Sequence, residues 1–169
     1  MSPHPRPLSR AERGESGSLA GSRVALRPVD AGDFAAIEDW WPEAAATVRG
    51  DREPVAVGEL QHMVDEAGCE TLVIAKADEP APIGLLVYRL AADGWLEFRF
   101  LALVQGLRGW GYGSEAVRLI EESGRAQRFV ARVSGGNGLG LYFWLRMGYR
   151  PGELPSRERE IEDKIAMIR

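Results

Sequence analysis

Residues 105–116, which read QGLRGWGYGSEA, decide the fold of this chain. Glycines alternate at positions 109, 111 and 113, an arginine stands at position 108, and a helix-forming segment follows. Glycine adopts positive φ angles and lets the backbone approach a ligand closely. Successive N–H groups at the start of a helix attract anions, and the helix dipole strengthens the attraction. The segment therefore predicts an anion-binding loop that suits a diphosphate.

Three interpretations of this loop compete. A glycine-rich turn without a ligand does not account for three alternating glycines with an arginine at a helix start. Residues 111–116 satisfy the G-x-G-x-x-A pattern of a dinucleotide-binding loop, but that loop follows its strand directly and needs an acidic residue about 20 positions on. Here six residues separate Val104 from Gly111, and the downstream stretch is Ala131-Arg132-Val133. Acyl-CoA binding is the third interpretation. A Walker P-loop is excluded, because the segment contains no lysine.

The segments on both sides of the loop predict a mixed α+β domain. Strands are predicted over 24–29, 71–75, 83–88, 95–104, 128–133, 149–150 and 164–168, and helices over 30–41, 57–67, 111–123 and 139–147. Pro42 is expected to end the first helix and to begin a polar loop that reaches Pro54. The short connections before the loop predict an antiparallel meander. The strand–helix–strand order after it predicts one parallel element in that sheet.

Residues 1–22 are predicted to form a disordered tail, and residues 23–169 a single domain. The tail is rich in proline, serine and glycine, and its only large apolar residues are Met1, Leu8 and Leu19. Such a segment buries too little surface to offset its ordering entropy. The alternative interpretation is an arm whose three arginines contact a partner.

Composition narrows the function further. A length of 169 residues suits one domain, and a net charge of −4 argues against a nucleic-acid partner. No apolar run approaches the ~18 residues that a membrane helix needs, so no membrane association is expected. The single cysteine, Cys69, excludes an internal disulfide, and the absence of a secretory segment favours the cytoplasm. Two isolated histidines are too few for a zinc site, and no metal is expected.

Two motifs resemble those of the GNAT family of N-acetyltransferases. Arg108-x-x-Gly111-x-Gly113 matches the R/Q-x-x-G-x-G/A pyrophosphate loop of that family. The series Asn137, Gly140, Trp144, Gly148-Tyr149 is similar to its N-x-x-A-x-x-x-Y-x-x-x-G-F segment. The resemblance extends from about Arg23 to Ile168. It implies a central, mostly antiparallel mixed sheet of about six to seven strands flanked by about four helices, with acetyl-CoA as the co-substrate.

The resemblance also implies a cofactor-binding site. The strand before the loop would splay from its neighbour at a bulge, and the backbone of Leu101, Ala102 and Leu103 would bind the pantetheine arm, with the Leu103 N–H polarising the thioester carbonyl. The pyrophosphate would lie against Arg108, Gly109, Trp110, Gly111, Tyr112, Gly113 and Ser114. Asn137 would start the next helix and bind the pantetheine or the strand end, and a helix-capping role is equally open.

Glu97 is the predicted general base. The acceptor amine has a pKa near ~10 and must lose a proton before it attacks, which a carboxylate can accept directly or through one water. Strict alternation along the strand places Glu97 on the face of Leu101 and Leu103, opposite Phe98 and Phe100. The alternative is a salt bridge between Glu97 and Arg89 or Arg99.

Trp144 occupies the position where the family usually has the tyrosine that reprotonates the leaving thiolate. Its indole N–H is only a donor and does not titrate. Tyr142, two residues earlier, is predicted to face elsewhere on the helix. A thiol of pKa ~8.5 can leave the thioester as a thiolate without being protonated first. We therefore predict a transferase whose turnover is slower or does not depend on a general acid. A purely structural role for Trp144 is the alternative.

These observations predict transfer of an acetyl group from acetyl-CoA to an amine acceptor by direct attack in a ternary complex. One alternative is a non-catalytic module that binds or senses acyl-CoA, and a nucleotide-dependent oxidoreductase is a weaker one. The acceptor is a small-molecule or peptide amine whose identity stays open. Trp40, Trp41 and the Arg49–Arg52 loop are expected near its site. The resemblance also makes a homodimer a possible oligomeric state.

Overall fold

The computed structural model describes residues 17–153 and 164–169. Their eight strands form one sheet in the order β1-β2-β3-β4-β5-β6-β8-β7, and only the β5–β6 pairing is parallel. The strands are β1 Leu19–Ala20, β2 Val24–Pro28, β3 Cys69–Lys76, β4 Glu79–Leu90, β5 Trp95–Leu103, β6 Arg128–Ser134, β7 Arg150–Pro151 and β8 Lys164–Ile168. The predicted α+β architecture is confirmed. The sheet has more strands than predicted, because two of the eight are only two residues long.

Five α-helices of the described residues cover the two faces of this sheet. They are α1 Phe34–Glu38, α2 Trp41–Arg49, α3 Gly58–Asp65, α4 Tyr112–Glu122 and α5 Gly138–Arg146. Apolar residues of α1, α2 and α3 form one buried cluster with one face of the sheet, around Trp41 and Phe100. Residues of α4 and α5 form a second cluster with the other face, around Phe98 and Trp144. No described helix is long and apolar enough to cross a membrane.

The polar loop predicted to begin at Pro42 is wrong, because the first helix already ends at Glu38 and a second helix begins at Trp41. Pro42 instead lies in the first turn of α2, where its missing N–H costs no hydrogen bond. The helix continues to Arg49 and ends at Gly50, which has a φ of +71°. The segment expected to be a polar loop therefore supplies a rigid helix, and the C-terminal turn of that helix faces the candidate site described below.

Residues 17–22, which precede the predicted domain start at Arg23, are part of the described structure. Residues 1–16 of the predicted tail lie outside the described residues. Leu19–Ala20 pairs with β2, and the Glu115 carboxylate of α4 accepts hydrogen bonds from the Arg23 N–H at 2.8 Å and the Ser22 hydroxyl at 3.3 Å. Leu19 also packs against the cluster of α4 and α5. These contacts fix the chain where its composition alone predicted a tail.

A bulge in β5 reverses the direction of its side chains. Phe98 pairs with Tyr88 and Phe100 pairs with Val87, so Arg99 is an extra residue on this strand. Before the bulge, Leu96 and Phe98 belong to the cluster of α4 and α5, whereas after it Phe100 belongs to the cluster of α1, α2 and α3. The strict alternation predicted for this strand is therefore wrong. Glu97 faces the α1–α3 side, away from the side on which Leu101 and Leu103 pack.

The parallel pairing of β5 with β6 ends where the bulge begins. Register partners run from Trp95 with Arg128 to Phe98 with Ala131, and no partner follows. β6 continues to Ser134 paired with β8, and β5 continues to Leu103 paired with β4. The two strands thus diverge beyond Phe98, as the resemblance implied, and leave a gap in the sheet.

Candidate active site

A cleft of about 490 Å³ occupies the gap between the diverging strands. Most of the predicted cofactor-binding residues line it. They are Leu101, Ala102, Leu103, Arg108, Gly109, Gly111, Gly113, Ser114 and Asn137, together with Trp144. Trp110, Tyr112 and Glu97 are not among the lining residues. Strand edge, glycine loop and α5 therefore meet at one cleft, although they are distant in sequence.

The glycine loop has the backbone conformation that its sequence predicts. Gly109 has a φ of +81° and Gly111 a φ of +85°, values that favour glycine strongly. Gly111 is the N-cap of α4 and provides no side-chain capping bond. Among the described residues, none accepts a hydrogen bond from the amides of residues 109–114. These amides are available at the N-terminus of a helix, where partial positive charge accumulates.

The third glycine, Gly113, lies at the start of α4 against β5 and α5, where a Cβ would make ordinary van der Waals contacts. A Cβ built on Gly113 would lie 3.4 Å from Leu103 Cδ1 and 3.5 Å from Phe143 Cε2, so the helix start lies close to β5 and α5. Beside it, Ser114 lines the cleft, as does Arg118 one turn further along α4. Arg118 is a cation that the sequence analysis missed, and its helical spacing from Ser114 was the available signal.

The free edge of β5 presents two residues and not three. Val104 donates its N–H to the Ile83 carbonyl at 2.9 Å, so in this antiparallel register Ala102 also bonds toward β4. The backbone groups of Leu101 and Leu103 point to the opposite side, where the gap lies. This corrects the prediction for Ala102, whose backbone is engaged within the sheet. The Leu103 carbonyl accepts a hydrogen bond from Arg108 Nε at 3.3 Å, which ties the loop to the strand edge.

Asn137 caps α5 and links it to α2. Its Oδ1 accepts the Gly140 N–H at 2.9 Å, and its Nδ2 donates to the Val48 carbonyl at 3.4 Å. Of the two roles left open by the sequence, the cap is therefore present. A Cβ on Gly140 would overlap the Asn137 amide, which is why glycine suits this position.

Trp144 lies in a buried aromatic cluster that borders the cleft. Its ring centroid is 5.2 Å from that of Phe98 and 4.7 Å from that of Tyr149. No described residue accepts a hydrogen bond from its indole N–H, and that atom is not among the buried polar atoms that lack a partner. The Trp144 residue is only 5% exposed and is among the residues that line the cleft. Tyr142 also lines the cleft, contrary to the prediction that it faces elsewhere.

The aromatic side chains of the glycine loop point away from the cleft. Trp110 is exposed, and the Tyr112 ring lies 4.6 Å below the Arg23 guanidinium. Any contact that these two residues make with a ligand in the cleft would come from their backbone amides. The sequence could not distinguish the side chain from the backbone here.

Glu97 is buried within a cluster of three arginines. Its carboxylate accepts hydrogen bonds from Arg89 Nη2 at 2.8 Å, Arg132 Nε at 2.8 Å and Arg99 Nη1 at 3.4 Å. Burial raises the pKa of Glu97, but the hydrogen bond from Arg89 and the three positive charges together outweigh it, so the pKa lies below its ordinary value. Both salt bridges considered for Glu97 are therefore present, and the carboxylate is ionised at neutral pH.

A second cavity, of about 300 Å³, adjoins the cleft at the bulge. Val48, Arg99, Phe100 and Arg132 line both spaces, so the two meet where β5 and β6 diverge. Arg49, Glu66 and Lys164 line the second cavity alone. Of the residues expected near an acceptor, Arg49 lines this second cavity, whereas Trp41 is fully buried in the core. Trp40 and residues 50–52 line neither space.

Solved structures that superpose on this chain include acetyltransferases, some of which are described as members of the GNAT family. A GNAT-family acetyltransferase from Bacillus anthracis superposes with a TM-score of 0.70 at 14% identity, covering 89% of this chain and 96% of the other. An acetyltransferase from Agrobacterium tumefaciens gives a TM-score of 0.70 at 22% identity, covering 90% and 93%. A spermidine N-acetyltransferase from Vibrio cholerae, in complex with CoA and spermine, gives 0.65 at 16% identity, covering 88% and 95%.

These likenesses show that the chain has the GNAT fold, as the two motifs predicted. No protein-family model matches the sequence, and no curated protein matches it significantly. Among the described residues, no group of three or more His, Cys, Asp or Glu side chains is placed to hold a metal ion.

The arginine cluster predicts a pH-dependent contribution of Glu97 to stability. Because folding lowers its pKa, this contribution is complete above the unfolded value of ~4.3 and is lost as the pH falls through the folded value. We expect Glu97→Gln to lower the free energy of unfolding at pH 7 by roughly 2–4 kcal/mol, because three partly buried arginines lose their common counter-charge. Urea unfolding between pH 3 and pH 7 measures the difference, which should shrink below about pH 4.

Glu66→Gln is the matched control for this measurement. Glu66 is half-exposed and contacts Arg99 at 3.7 Å, so its loss should cost less than about 1 kcal/mol. A cost for Glu97→Gln that stays constant down to pH 3, or that equals the cost for Glu66→Gln, would contradict a buried ionised carboxylate.

Proposed function

We propose that this protein is an N-acetyltransferase that moves an acetyl group from acetyl-CoA to an amine. The observation that carries the proposal is the convergence of the glycine-loop amides, Arg108 and the free edge of β5 on one cleft. The loop offers hydrogen-bond donors and positive charge to a diphosphate, and the strand edge offers peptide-like pairing to the amides of pantetheine. The GNAT fold of acetyltransferases supports the same substrate.

In the proposed reaction the amine attacks the thioester in a ternary complex. The ammonium form of the acceptor loses one proton, its nitrogen forms a bond to the thioester carbon, and the carbon–sulfur bond breaks. CoA leaves as the thiolate, and the second proton of the nitrogen neutralises that sulfur or passes to water. The Leu103 N–H, which points into the gap between the strands, would stabilise the negative charge that develops on the carbonyl oxygen.

We keep Glu97 as the proposed proton acceptor, acting directly or through one water, although its lowered pKa and its three arginine partners oppose that role. The carboxylate lines neither cavity but contacts Arg99 and Arg132, which line both. Glu66, which lines the second cavity directly, is a carboxylate that the sequence analysis missed. If kcat at pH 7 were unchanged in Glu97→Gln but lowered in Glu66→Gln, Glu66 would be the base and this assignment would be wrong.

The position of Trp144 keeps a second function in view, namely a module that binds acyl-CoA without catalysis. Trp144 offers the cleft a donor that does not titrate, where the family usually has an acid. Release of free thiol from acetyl-CoA in the presence of amines separates the two functions. A non-catalytic binding module would bind acetyl-CoA but release no free thiol from it. Of the two functions we propose the enzyme, since the second cavity joins the cleft and leaves room for an acceptor. We also propose a cytoplasmic location, as the sequence predicts.

The loop conformation yields a prediction for cofactor binding. Gly111→Ala places a Cβ where φ is +85°, a conformation that residues with a side chain rarely adopt, so we expect the loop to relax away from it. Arg23 Nη1, 3.2 Å from that Cβ, ends a flexible side chain and can move aside. Losing one well-aligned bond to a charged phosphate costs ~1.5–3 kcal/mol, which is about 10- to 100-fold in affinity. We expect calorimetry to show that loss in the dissociation constant for CoA.

Gly124→Ala provides the matched control. Gly124 also has a positive φ, of +77°, but it follows the other end of α4 and a Cβ there has open space. The backbone strain of the two variants is similar, at about 1–2 kcal/mol. Equal loss of CoA affinity in both variants would show that general destabilisation, and not the loop, explains the effect.

Trp144 yields a prediction for turnover. A general acid contributes roughly 10²–10⁴ in rate where protonation of the leaving group limits the reaction. We expect Trp144→Tyr to raise kcat above the wild-type value, and Trp144→Phe, which removes a similar volume without supplying a hydroxyl, to lower it. Initial rates of thiol release measure both. Identical rates for the two variants would show that this position does not donate a proton.

A further inference from the structure

We propose that Arg118 and Arg146 bind the 3′-phosphate of coenzyme A, so that the cleft selects a free CoA thioester as the acyl donor. The inference rests on the proposed function, because it names a further part of the co-substrate that the cleft would recognise. The diphosphate and the pantetheine arm are already assigned to the glycine loop and the edge of β5. The 3′-phosphate lies on the ribose at the other end of the molecule, and a pantetheine arm carried on a protein lacks it.

The two arginines lie on the two helices that border the cleft. Arg118 stands one turn after Ser114 on α4, and Arg146 stands about one turn after Phe143 on α5. All four residues line the cleft. The helices approach each other at Gly113, where a Cβ would lie 3.5 Å from Phe143 Cε2. Each arginine therefore follows this contact by one to two helical turns.

The direction of the helices places both arginines on the same side of that contact. β5 and β6 are parallel, and β6 and β7 are both antiparallel to β8, so β5, β6 and β7 share one direction. Since α4 connects β5 to β6 and α5 connects β6 to β7, both helices run back against these strands. Arg118 and Arg146 thus lie at a similar level of the cleft, on its two helical walls.

The cleft holds positive charge that no carboxylate in its wall offsets. Among the described residues, none of the lining side chains is acidic, whereas five are arginines, at positions 99, 108, 118, 132 and 146. Glu97 holds Arg99 and Arg132, so we do not count these two toward a ligand. The arginines at positions 108, 118 and 146 form no ion pair with any described carboxylate. Three cations therefore stand ready for an anionic ligand.

The carboxylates of α4 do not pair with Arg118. Glu115 accepts hydrogen bonds from backbone N–H groups at the start of β2, and Glu121 pairs with Arg169 at 3.0 Å. Glu122 is exposed, one turn after Arg118, and forms no ion pair with it. The helix α5 contains no acidic residue. A ligand anion would therefore meet these two guanidinium groups without displacing a carboxylate of either helix.

The number of cations fits the phosphates of coenzyme A. The loop amides and Arg108 would bind the diphosphate, which leaves Arg118 and Arg146 for the monoester on the ribose. A phosphate monoester has a charge of about −1.5 to −2 near pH 7, and guanidinium groups bind its oxygens through charge-assisted hydrogen bonds. The guanidinium of Arg146 lies 5.8 Å from the centre of the Tyr142 ring, which also lines the cleft. This contact favours a position of the arginine at the cleft.

Calorimetric titration with CoA and with 3′-dephospho-CoA tests this inference, because the two ligands differ only in this phosphate. We expect CoA to bind about tenfold or more tightly to the wild-type protein. Because both arginines are exposed, added salt should reduce the ratio of the two dissociation constants. Equal dissociation constants for the two ligands would overturn the assignment.

Variants locate the phosphate. Arg118→Gln and Arg146→Gln should each weaken CoA about threefold or more, and each should change the affinity for 3′-dephospho-CoA less than about twofold. Unchanged binding of the second ligand also shows that the variants are folded. The alternative is that Arg118 reaches back to the diphosphate at the start of α4, since helical side chains point toward the N-terminus. Equal weakening of both ligands would establish that alternative and overturn the inference.

Arg128→Gln is the matched control for the loss of one positive charge. Arg128 is an exposed arginine on β6 that lines neither cavity. Its variant should leave the affinity ratio of CoA to 3′-dephospho-CoA at the wild-type value. A fall in this ratio equal to that of Arg118→Gln and Arg146→Gln would show an effect of net charge and would overturn the assignment to these two residues.

Thiol release from acetyl-CoA in the presence of amines separates this inference from the proposed function. If amines release thiol while CoA and 3′-dephospho-CoA bind equally well, the acetyltransferase stands and the phosphate site is wrong. If CoA binds more tightly through the two arginines but no amine releases thiol, the phosphate site stands and the acetyltransferase is wrong. If neither ligand binds, both proposals are wrong.

Discussion

The extra residue in β5 is the constraint on which the site depends. Because Arg99 has no partner in β4, the strand turns over between Phe98 and Phe100 and leaves its parallel neighbour β6. That one change opens a gap in an otherwise continuous sheet and exposes the backbone of Leu101 and Leu103. It also directs Arg99 to the border between the two cavities. Bulges commonly redirect a strand beside a functional site in this way.

The two sides of the gap differ in the charged and polar groups that line them. On the α4 side, the backbone amides of a helix N-terminus and Arg108 provide a place for phosphates. On the α1–α3 side, the buried carboxylate of Glu97 holds Arg99 and Arg132, which line the second cavity. Glu97 thus stabilises the fold and fixes two arginines that line both spaces. Its low exposure makes its contribution to stability larger than that of an ordinary surface salt bridge.

Local patterns predicted the glycine loop, because positive φ at Gly109 and Gly111 is a property of single residues followed by a helix. The cap at Asn137 was likewise predicted from a local pattern. The single parallel pairing was predicted from the strand–helix–strand order of the elements. The predicted face of Glu97 was wrong, because strict alternation ignores the bulge that the resemblance implied and does not locate it at Arg99. The loop predicted after Pro42 was also wrong, since a proline is equally compatible with the first turn of a new helix. The sequence suggested the pairs of Glu97 with Arg89 and Arg99, whereas the contact with Arg132 of β6 could be found only from tertiary packing.

The central claim is that the loop amides bind the diphosphate of CoA while the edge of β5 binds its pantetheine arm. Amide NMR spectra recorded during titration with CoA and, separately, with pantetheine test it most directly, because pantetheine lacks the diphosphate. We expect CoA to shift the amide signals of residues 109–114 and of Leu101 and Leu103, and pantetheine to shift only those of the strand edge. Loop amides that remain unshifted at saturating CoA would contradict the account.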